Sequence, residues 1–219
     1  MRNIPTCLVQ LLVALSCRAA LFKNLDFQSP DISKIRGSEG LVRYIIPGWS
    51  LQYGGIDQDI MAYNGGCLIC PTATLYGPDV PRVGDAFSFA MKSGFLLGVG
   101  TMAAVSIYQV GEVPESSKSI RFEANMFPSG SYLHVSMDGQ ELSLIRTSNG
   151  DLFRYEADIS SWAGKTGELR FTVGPGSDLV GGTLADIEFS SSPVPAIPEP
   201  STWALLATGL AALGWATRN

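Results

Sequence analysis

Short runs of alternating apolar and polar residues occupy most of the chain between residues 20 and 190. In KSIRFEANM, Ile120, Phe122 and Ala124 alternate with charged or polar side chains, and GELRFTV repeats the pattern with Leu169 and Phe171. A period of two is typical of a strand with one buried face. Similar runs are LFKNLDF, GWSLQYGG, ATLYG, DAFSFAMKSG, AAVSIYQVG, YLHVSMDG, QELSLIR, LFRYEADIS and TLADIEFS. Since helical periodicity is almost absent, the pattern predicts an all-β fold, an antiparallel β-sandwich or jelly roll.

Two local signals refine this prediction. Asp138-Gly139, in YLHVSMDGQELSL, is a strong signal for a two-residue β-hairpin. The stretch DISSWAGKTG is the one helix-like piece, and it predicts a single helical turn capped by Asp158 or Ser160. Both features are connections between strands, so they leave the all-β prediction unchanged.

Composition excludes two classes of protein. The chain has 219 residues, of which 46% are hydrophobic and 16% charged, and this balance excludes a disordered polymer. Its 24 Gly and 13 Pro favour many turns over long helices. The net charge is −5, and basic residues are scattered singly. Nucleic acid is therefore not an expected partner, because no basic patch exists to displace phosphate counterions.

The N-terminal stretch MRNIPTCLVQLLVALSCRAA is typical of a secretory signal peptide. Arg2 supplies a positive charge, an apolar run covers 7–17, and small residues favour cleavage after Ala19. We therefore expect residues 1–19 to be a signal peptide. A buried N-terminal strand or helix and, more weakly, a lipoprotein attached at Cys17 are the alternatives.

The C-terminal stretch contains an uncharged run over 202–217. A helix of this length reaches about 24 Å, slightly short of a typical hydrocarbon core. Trp203 and Trp215 lie near its two ends, where indole rings favour the membrane interface, and Arg218 follows. The run predicts a marginal transmembrane helix over 202–217, with a hydrophobic core helix as the alternative.

Immediately before this run stands the triplet Pro198, Glu199, Pro200. The whole arrangement of triplet, apolar run and basic end, residues 198–219, resembles the PEP-CTERM sorting signal of Gram-negative bacteria. The resemblance implies export, transient anchoring in the inner membrane, and processing by an exosortase for surface attachment or release. Residues 191–197, SSPVPAI, are then expected to be a Ser/Pro-rich linker.

The segments NLDFQS, IPGWSLQYGG and SSWAGKTGELRFTVG followed by GGTLADIEFS carry a second resemblance. They are similar to bacterial surface proteins with a galactose-binding-like jelly roll, a superfamily with many non-catalytic carbohydrate-binding modules. The resemblance implies one jelly-roll domain over 20–190, with its N- and C-terminal strands side by side. Related jelly rolls often hold a structural Ca²⁺ where those strands meet, which implies a Ca²⁺ site at Asp26 and Asp186.

Catalytic and redox signals are sparse. His134 is the sole histidine and alternates with apolar strand residues, so an ordinary strand histidine is favoured over a catalytic base.

Cys67 and Cys70 form a C-x-x-C pair, which in an exported chain predicts one disulfide closing a tight loop. Free thiols, redox activity or metal binding are the alternatives. Neither a following helix nor further ligands support the last two.

A group of aromatic and acidic residues between 49 and 76 is the remaining candidate for a binding site. Trp49, Tyr53 and Tyr63 could supply flat faces for stacking on sugars, with Asp57 and Asp59 fixing hydroxyl groups or a cation. The alternative is that the aromatic residues belong to the core and the aspartates to a solvated loop.

These observations favour an exported cell-surface or extracellular-matrix protein with a non-catalytic jelly-roll domain that binds carbohydrate or exopolysaccharide. The alternative is a purely structural surface or biofilm protein without a small-molecule ligand. A glycan hydrolase or lyase is least favoured, because no acid–base pair of carboxylates stands out in the sequence.

Overall fold

A computed structural model of the chain describes residues 20–66, 70–78, 88–92, 94–95, 102–127, 133–149, 152–174 and 181–195. The predicted signal peptide, Cys67, and the predicted sorting signal with its helix over 202–217 lie outside these residues. Within the described ranges, no helix combines the length and apolar character needed to cross a membrane.

The regular elements are almost all strands. Those in the described residues are β1 (Glu39–Leu41), β2 (Ser50–Tyr53), β3 (Ile56–Gln58), β4 (Ile60–Tyr63), β5 (Thr72–Tyr76), β6 (Ser88–Lys92), β7 (Gly94–Phe95), β8 (Met102–Ala103), β9 (Val105–Glu112), β10 (Ser119–Phe127), β11 (Leu133–Met137), β12 (Gln140–Glu141), β13 (Ile145–Asn149), β14 (Leu152–Asp158), β15 (Thr166–Val173) and β16 (Gly181–Ser190). One α-helical turn, α1 (Val42–Ile45), and two 3₁₀ turns, Ile32–Lys34 and Ser160–Trp162, complete the set.

Two sheets make up the sandwich. The described strands form an eight-stranded sheet in the order β1-β4-β5-β6-β16-β10-β14-β13 and a six-stranded sheet in the order β12-β11-β15-β9-β2-β3. The short β7 and β8 form a separate hairpin. Neighbouring strands are antiparallel except for the parallel pair of β4 and β5. The predicted all-β fold, an antiparallel sandwich of the jelly-roll class, is therefore confirmed.

The core lies between the two sheets and follows the alternation seen in the sequence. Ile120, Phe122 and Ala124 of β10 are buried, as are Leu169 and Phe171 of β15. The rings of Phe122 and Phe171 meet edge to face, with centroids 5.1 Å apart, and so join the two sheets. Burying each large side chain contributes about 2 kcal/mol relative to exposure, so this seam is a major source of stability.

The two local signals are also confirmed. Asp138 and Gly139 have φ values of 51° and 75°, the left-handed pair that a tight hairpin between β11 and β12 requires. The 3₁₀ turn Ser160–Trp162 lies where the single helical turn was predicted, but its N-cap residue is Ile159 rather than the predicted Asp158 or Ser160. The Asp158 carboxylate accepts the Ser160 N–H over 2.8 Å, and this hydrogen bond lowers the pKa of Asp158.

The N-terminal segment differs from its prediction. LFKNLDF is not a continuous strand, since Leu21 makes only an isolated bridge to Glu112 and Phe27 has a positive φ of 59°. Phe22 crosses directly over Gly111, where a β-carbon would come within 2.8 Å of the ring. The segment is therefore held by side-chain packing and by isolated hydrogen bonds, such as those between the Lys23 backbone and the Gln109 side chain, rather than by a continuous ladder.

The N- and C-terminal segments nevertheless lie side by side, as the jelly-roll resemblance implied. The Ile187 N–H of β16 donates to the Leu25 carbonyl over 3.2 Å, and the rings of Phe22 and Phe189 are 5.0 Å apart. A bulge in β16 near Asp186, which has a φ of 49°, accompanies this contact.

Candidate functional site

Trp49 lies in the core rather than on a surface. Only 4% of it is exposed. Its ring packs 5.6 Å from that of Phe27 and 6.1 Å from that of Phe171, and its indole N–H donates to the Asn24 carbonyl over 3.0 Å. The ring faces are therefore occupied by protein, which corrects the prediction that Trp49 stacks on a sugar.

Tyr53 and Tyr63 are both half-buried and pack against the core. The Tyr53 hydroxyl accepts the Ala73 N–H over 2.9 Å and so links β2 of one sheet to β5 of the other. Burial raises the pKa of Tyr53. A β-carbon on Gly77 would collide with the Tyr63 hydroxyl. Tyr53 lines a cleft of about 330 Å³ whose lining includes neither Trp49 nor Tyr63, so the three predicted aromatic residues do not form one stacking platform.

Asp57 and Asp59 are both exposed and line one open cleft of about 270 Å³. We call it the Asp57 cleft. Tyr108 of β9 and Arg43 of α1 also line it, and Ser50 adds a hydroxyl group. The structure thus brings the two predicted aspartates together, at the edge of the six-stranded sheet formed by β3.

The Asp57 carboxylate is held in place by two donors. Its Oδ1 accepts the Gln52 side-chain amide and the Tyr108 hydroxyl, each over 2.9 Å. These hydrogen bonds, with a smaller contribution from the charge of Arg170, lower the pKa of Asp57. Burial, reinforced by the Asp57 carboxylate, raises the pKa of Tyr108. Asp57 is therefore ionised at neutral pH, and the Tyr108 hydroxyl keeps its proton.

Arg170 extends this arrangement across the outer face of the sheet. Its guanidinium lies 4.3 Å from the centre of the Tyr108 ring. Its Nη1 donates to Gln52 over 2.6 Å, and its Nε donates to Glu168 over 2.8 Å. We call these five residues the sheet-face network: Gln52, Asp57, Tyr108, Glu168 and Arg170.

Sequence reasoning found Asp57 but missed the other four members of the network. Alternation along β2, β9 and β15 does place Gln52, Tyr108 and Arg170 outward. The pairing of Arg170 with Tyr108 joins residues far apart in the chain, however, and no local pattern reveals it. The missing information was the order of strands in the sheet.

The network is a hydrogen-bonded array of donors and acceptors on the outer face of the sheet. Arg170 donates from Nη1 and Nε, and its remaining N–H groups are further donors, while Asp57 and Glu168 carry acceptor oxygens. Such an array suits the recognition of hydroxyl groups.

The remaining predicted residues lie elsewhere. His134 is exposed on β11, with its Nδ1 2.7 Å from Oε1 of Glu141. Cys70 is half-buried just before β5, and because Cys67 lies outside the described residues, the disulfide stays a prediction.

Asp26 and Asp186 flank the contact between the N-terminal segment and β16, and both are exposed. The Asp26 carboxylate accepts the Gln28 N–H over 3.0 Å. Among the described residues, no three His, Cys, Asp or Glu side chains come together in a way that could hold a metal ion. The Ca²⁺ site implied by the resemblance stays a prediction.

Two solved structures show distant similarity. The enzymatically active domain of bacteriophage CBA120 tailspike protein 4 matches with a TM-score of 0.38 and 16% identity, covering 76% of this chain and 21% of that one. The CBM27-1 module of Caldicellulosiruptor saccharolyticus, solved with mannohexaose, matches with a TM-score of 0.34 and 12% identity, covering 56% of this chain and 84% of that one. The chain thus spans about a fifth of the tailspike domain. No curated protein shows significant similarity to it.

The C-terminus gives a specific match. The family described as the PEP-CTERM protein-sorting motif matches residues 196–219, which include the Pro198, Glu199, Pro200 triplet. Such a motif implies export, passage through a membrane-anchored state in a Gram-negative bacterium, and processing by an exosortase. The chain therefore carries a PEP-CTERM protein-sorting motif at its C-terminal end.

Proposed function

We propose that this exported protein displays a non-catalytic β-sandwich that binds a glycan through the outer face of its six-stranded sheet. The observation that carries the proposal is the sheet-face network. Its polar groups are fixed in place before any ligand arrives, which limits the entropy lost on binding. The adjoining Asp57 cleft provides a concave edge beside this face of the sheet.

Charge indicates the class of glycan. Residues 20–190 carry 12 Lys and Arg side chains against 19 Asp and Glu side chains, a net charge of −7. A polyanionic glycan would meet this negative field, and in the site itself the three carboxylates of Asp57, Asp59 and Glu168 outnumber the two cations, Arg43 and Arg170. A neutral polysaccharide fits the site best.

The electrostatics of the site disfavour Asp57 as the general acid of a glycosidase. A glycosidase needs one carboxyl group whose raised pKa keeps it protonated as a general acid. The pKa of Asp57 is instead lowered. His134 contacts Glu141 on the exposed face of β11 rather than lying in the Asp57 cleft.

A glycan array probed with the full chain in detergent tests this proposal. Wild-type protein is expected to bind at least one neutral polysaccharide. Asp57→Asn and Tyr108→Phe are expected to weaken that binding by about three- to ten-fold, the loss of one or two hydrogen bonds. Glu115→Gln, at an exposed carboxylate on another loop, is the matched control and should bind like wild type. A folded protein that binds nothing on the array would instead support a purely structural surface role.

A further inference from the structure

A second cleft, of about 290 Å³, lies at the opposite edge of the six-stranded sheet from the Asp57 cleft. It is bounded by β12 on one side and by the 3₁₀ turn Ser160–Trp162 on the other. Its lining combines one indole with carboxylate, amide and hydroxyl groups. The residues that supply these groups are Gln140, Glu141, Ser143, Asp158, Ser160 and Trp162. We call it the Trp162 cleft.

Trp162 gives this cleft the aromatic surface that the predicted site lacks. In contrast to Trp49, which is 4% exposed, Trp162 is only half-buried and packs against the edge of the core. Trp162 is thus supported by the core and also lines the cleft. An indole held in this way provides a flat apolar face without needing to be ordered by the ligand.

The acceptors around the indole are also held in place. Asp158 is fixed by the Ser160 N–H, 2.8 Å away. Glu141 is oriented by His134, whose Nδ1 lies 2.7 Å from its Oε1. These two carboxylates lie on different elements, β12 and β14, and both residues line the cleft.

We propose that the Trp162 cleft is a separate binding site for a single neutral sugar ring. One face of such a ring is apolar and suits the indole, while its hydroxyl groups suit Asp158, Glu141 and the serine hydroxyls. No lysine or arginine lines this cleft in the described part of the chain. An acidic sugar is therefore disfavoured, because its carboxylate would meet Asp158 and Glu141, and the ammonium group of Lys165 is already bound to the carbonyl of Ser161, another lining residue. The proposal does not rest on the sheet-face network.

Nuclear magnetic resonance of the indole groups in the full chain, held in detergent micelles, tests this site. The probes are the methyl glycosides of glucose, mannose and galactose, with glucuronate as the acidic probe. At least one neutral glycoside is expected to move the Trp162 indole resonance in a saturable way. Glucuronate is expected to bind at least about five-fold more weakly, since its charge is unpaired in the cleft.

Variants assign any binding to one of the two clefts. Glu141→Gln is expected to weaken glycoside binding by about three-fold and Trp162→Ala by about ten-fold or more. Should Trp162→Ala unfold, Glu141→Gln is the variant that decides, because Glu141 is exposed and its substitution leaves the core untouched. Asp57→Asn, in the other cleft, is expected to change nothing here.

Three results would overturn the proposal: no neutral glycoside moves the Trp162 resonance, glucuronate binds as well as the neutral glycosides, or Asp57→Asn weakens binding while Glu141→Gln does not. The last result would assign the sugar to the Asp57 cleft and leave the function proposed above intact. Loss of array binding in Asp57→Asn with normal glycoside binding at Trp162 would show the two sites to be independent.

Discussion

At the scale of single residues, Asp57 links pH to folding. Hydrogen bonds from Gln52 and Tyr108 lower its pKa in the folded protein. A carboxylate with a lowered folded-state pKa stabilises the fold fully above its unfolded pKa of about 3.9, and this contribution is lost as the pH falls through the folded-state value. We expect the melting temperature of wild type to exceed that of Asp57→Asn at pH 6 and to approach it near pH 2.

Thermal unfolding of both proteins from pH 2 to pH 7 measures this effect. Asp59→Asn removes a neighbouring exposed carboxylate and serves as the control. A difference between wild type and Asp57→Asn that stays constant over the whole range would show that the hydrogen bonds to Asp57 do not favour its ionised form.

Substitution of two tyrosines is expected to affect different properties: Tyr53→Phe lowers stability, and Tyr108→Phe weakens glycan binding. Tyr53→Phe leaves the fully buried Ala73 N–H without its acceptor, which costs about 1–2 kcal/mol. Tyr108→Phe removes a hydroxyl whose partner, Asp57, remains in water, so its effect on stability should stay within about 0.5 kcal/mol. Urea unfolding measures the stability of both variants, and the glycan array measures their binding. Equal stability losses in the two variants would contradict this assignment.

At the scale of elements, the Asp138-Gly139 turn sets the register of β11 and β12. Gly139 has a φ of 75°, and a β-carbon there would meet no atom within 4 Å. Gly139→Ala should therefore cost about 1 kcal/mol, through backbone strain alone. Gly65→Ala is the matched control, because Gly65 lacks a positive φ and a β-carbon there makes only ordinary contacts, the nearest at 3.5 Å. Urea midpoints that fall equally for both variants would show that the turn geometry is not the cause.

For single elements, the sequence predicted a strand correctly wherever the alternation of apolar and polar residues determined the conformation. The alternation of Ile120 and Phe122 correctly predicted a strand with one buried face. The LFKNLDF stretch was wrongly predicted as a strand, because its conformation depends on Phe22 packing over Gly111, about 90 residues away along the chain. The contact of Arg170 with Tyr108 could not be predicted either, because its prediction depends on knowing that β15 pairs with β9.

At the scale of the whole molecule, the sorting motif and the sandwich have separate roles. Glu199→Ala alters the triplet of the PEP-CTERM motif without touching the described domain. Exosortase processing is expected to fail, so that a C-terminal epitope tag stays attached and the chain accumulates in the membrane fraction. Ser192→Ala, in the segment after β16, is the control. Immunoblots of cell fractions measure the outcome, and normal loss of the tag in Glu199→Ala would show that the triplet is not needed for processing.

We propose that the outer face of the six-stranded sheet binds a neutral glycan. Chemical-shift mapping of the full chain in detergent, titrated with an oligosaccharide of the glycan selected on the array, tests it most directly. The largest shifts are expected at Asp57, Tyr108 and Arg170, on β3, β9 and β15 of that face. Shifts confined to the outer face of the eight-stranded sheet, around Glu123 and Arg154, would show that the glycan binds the other sheet instead.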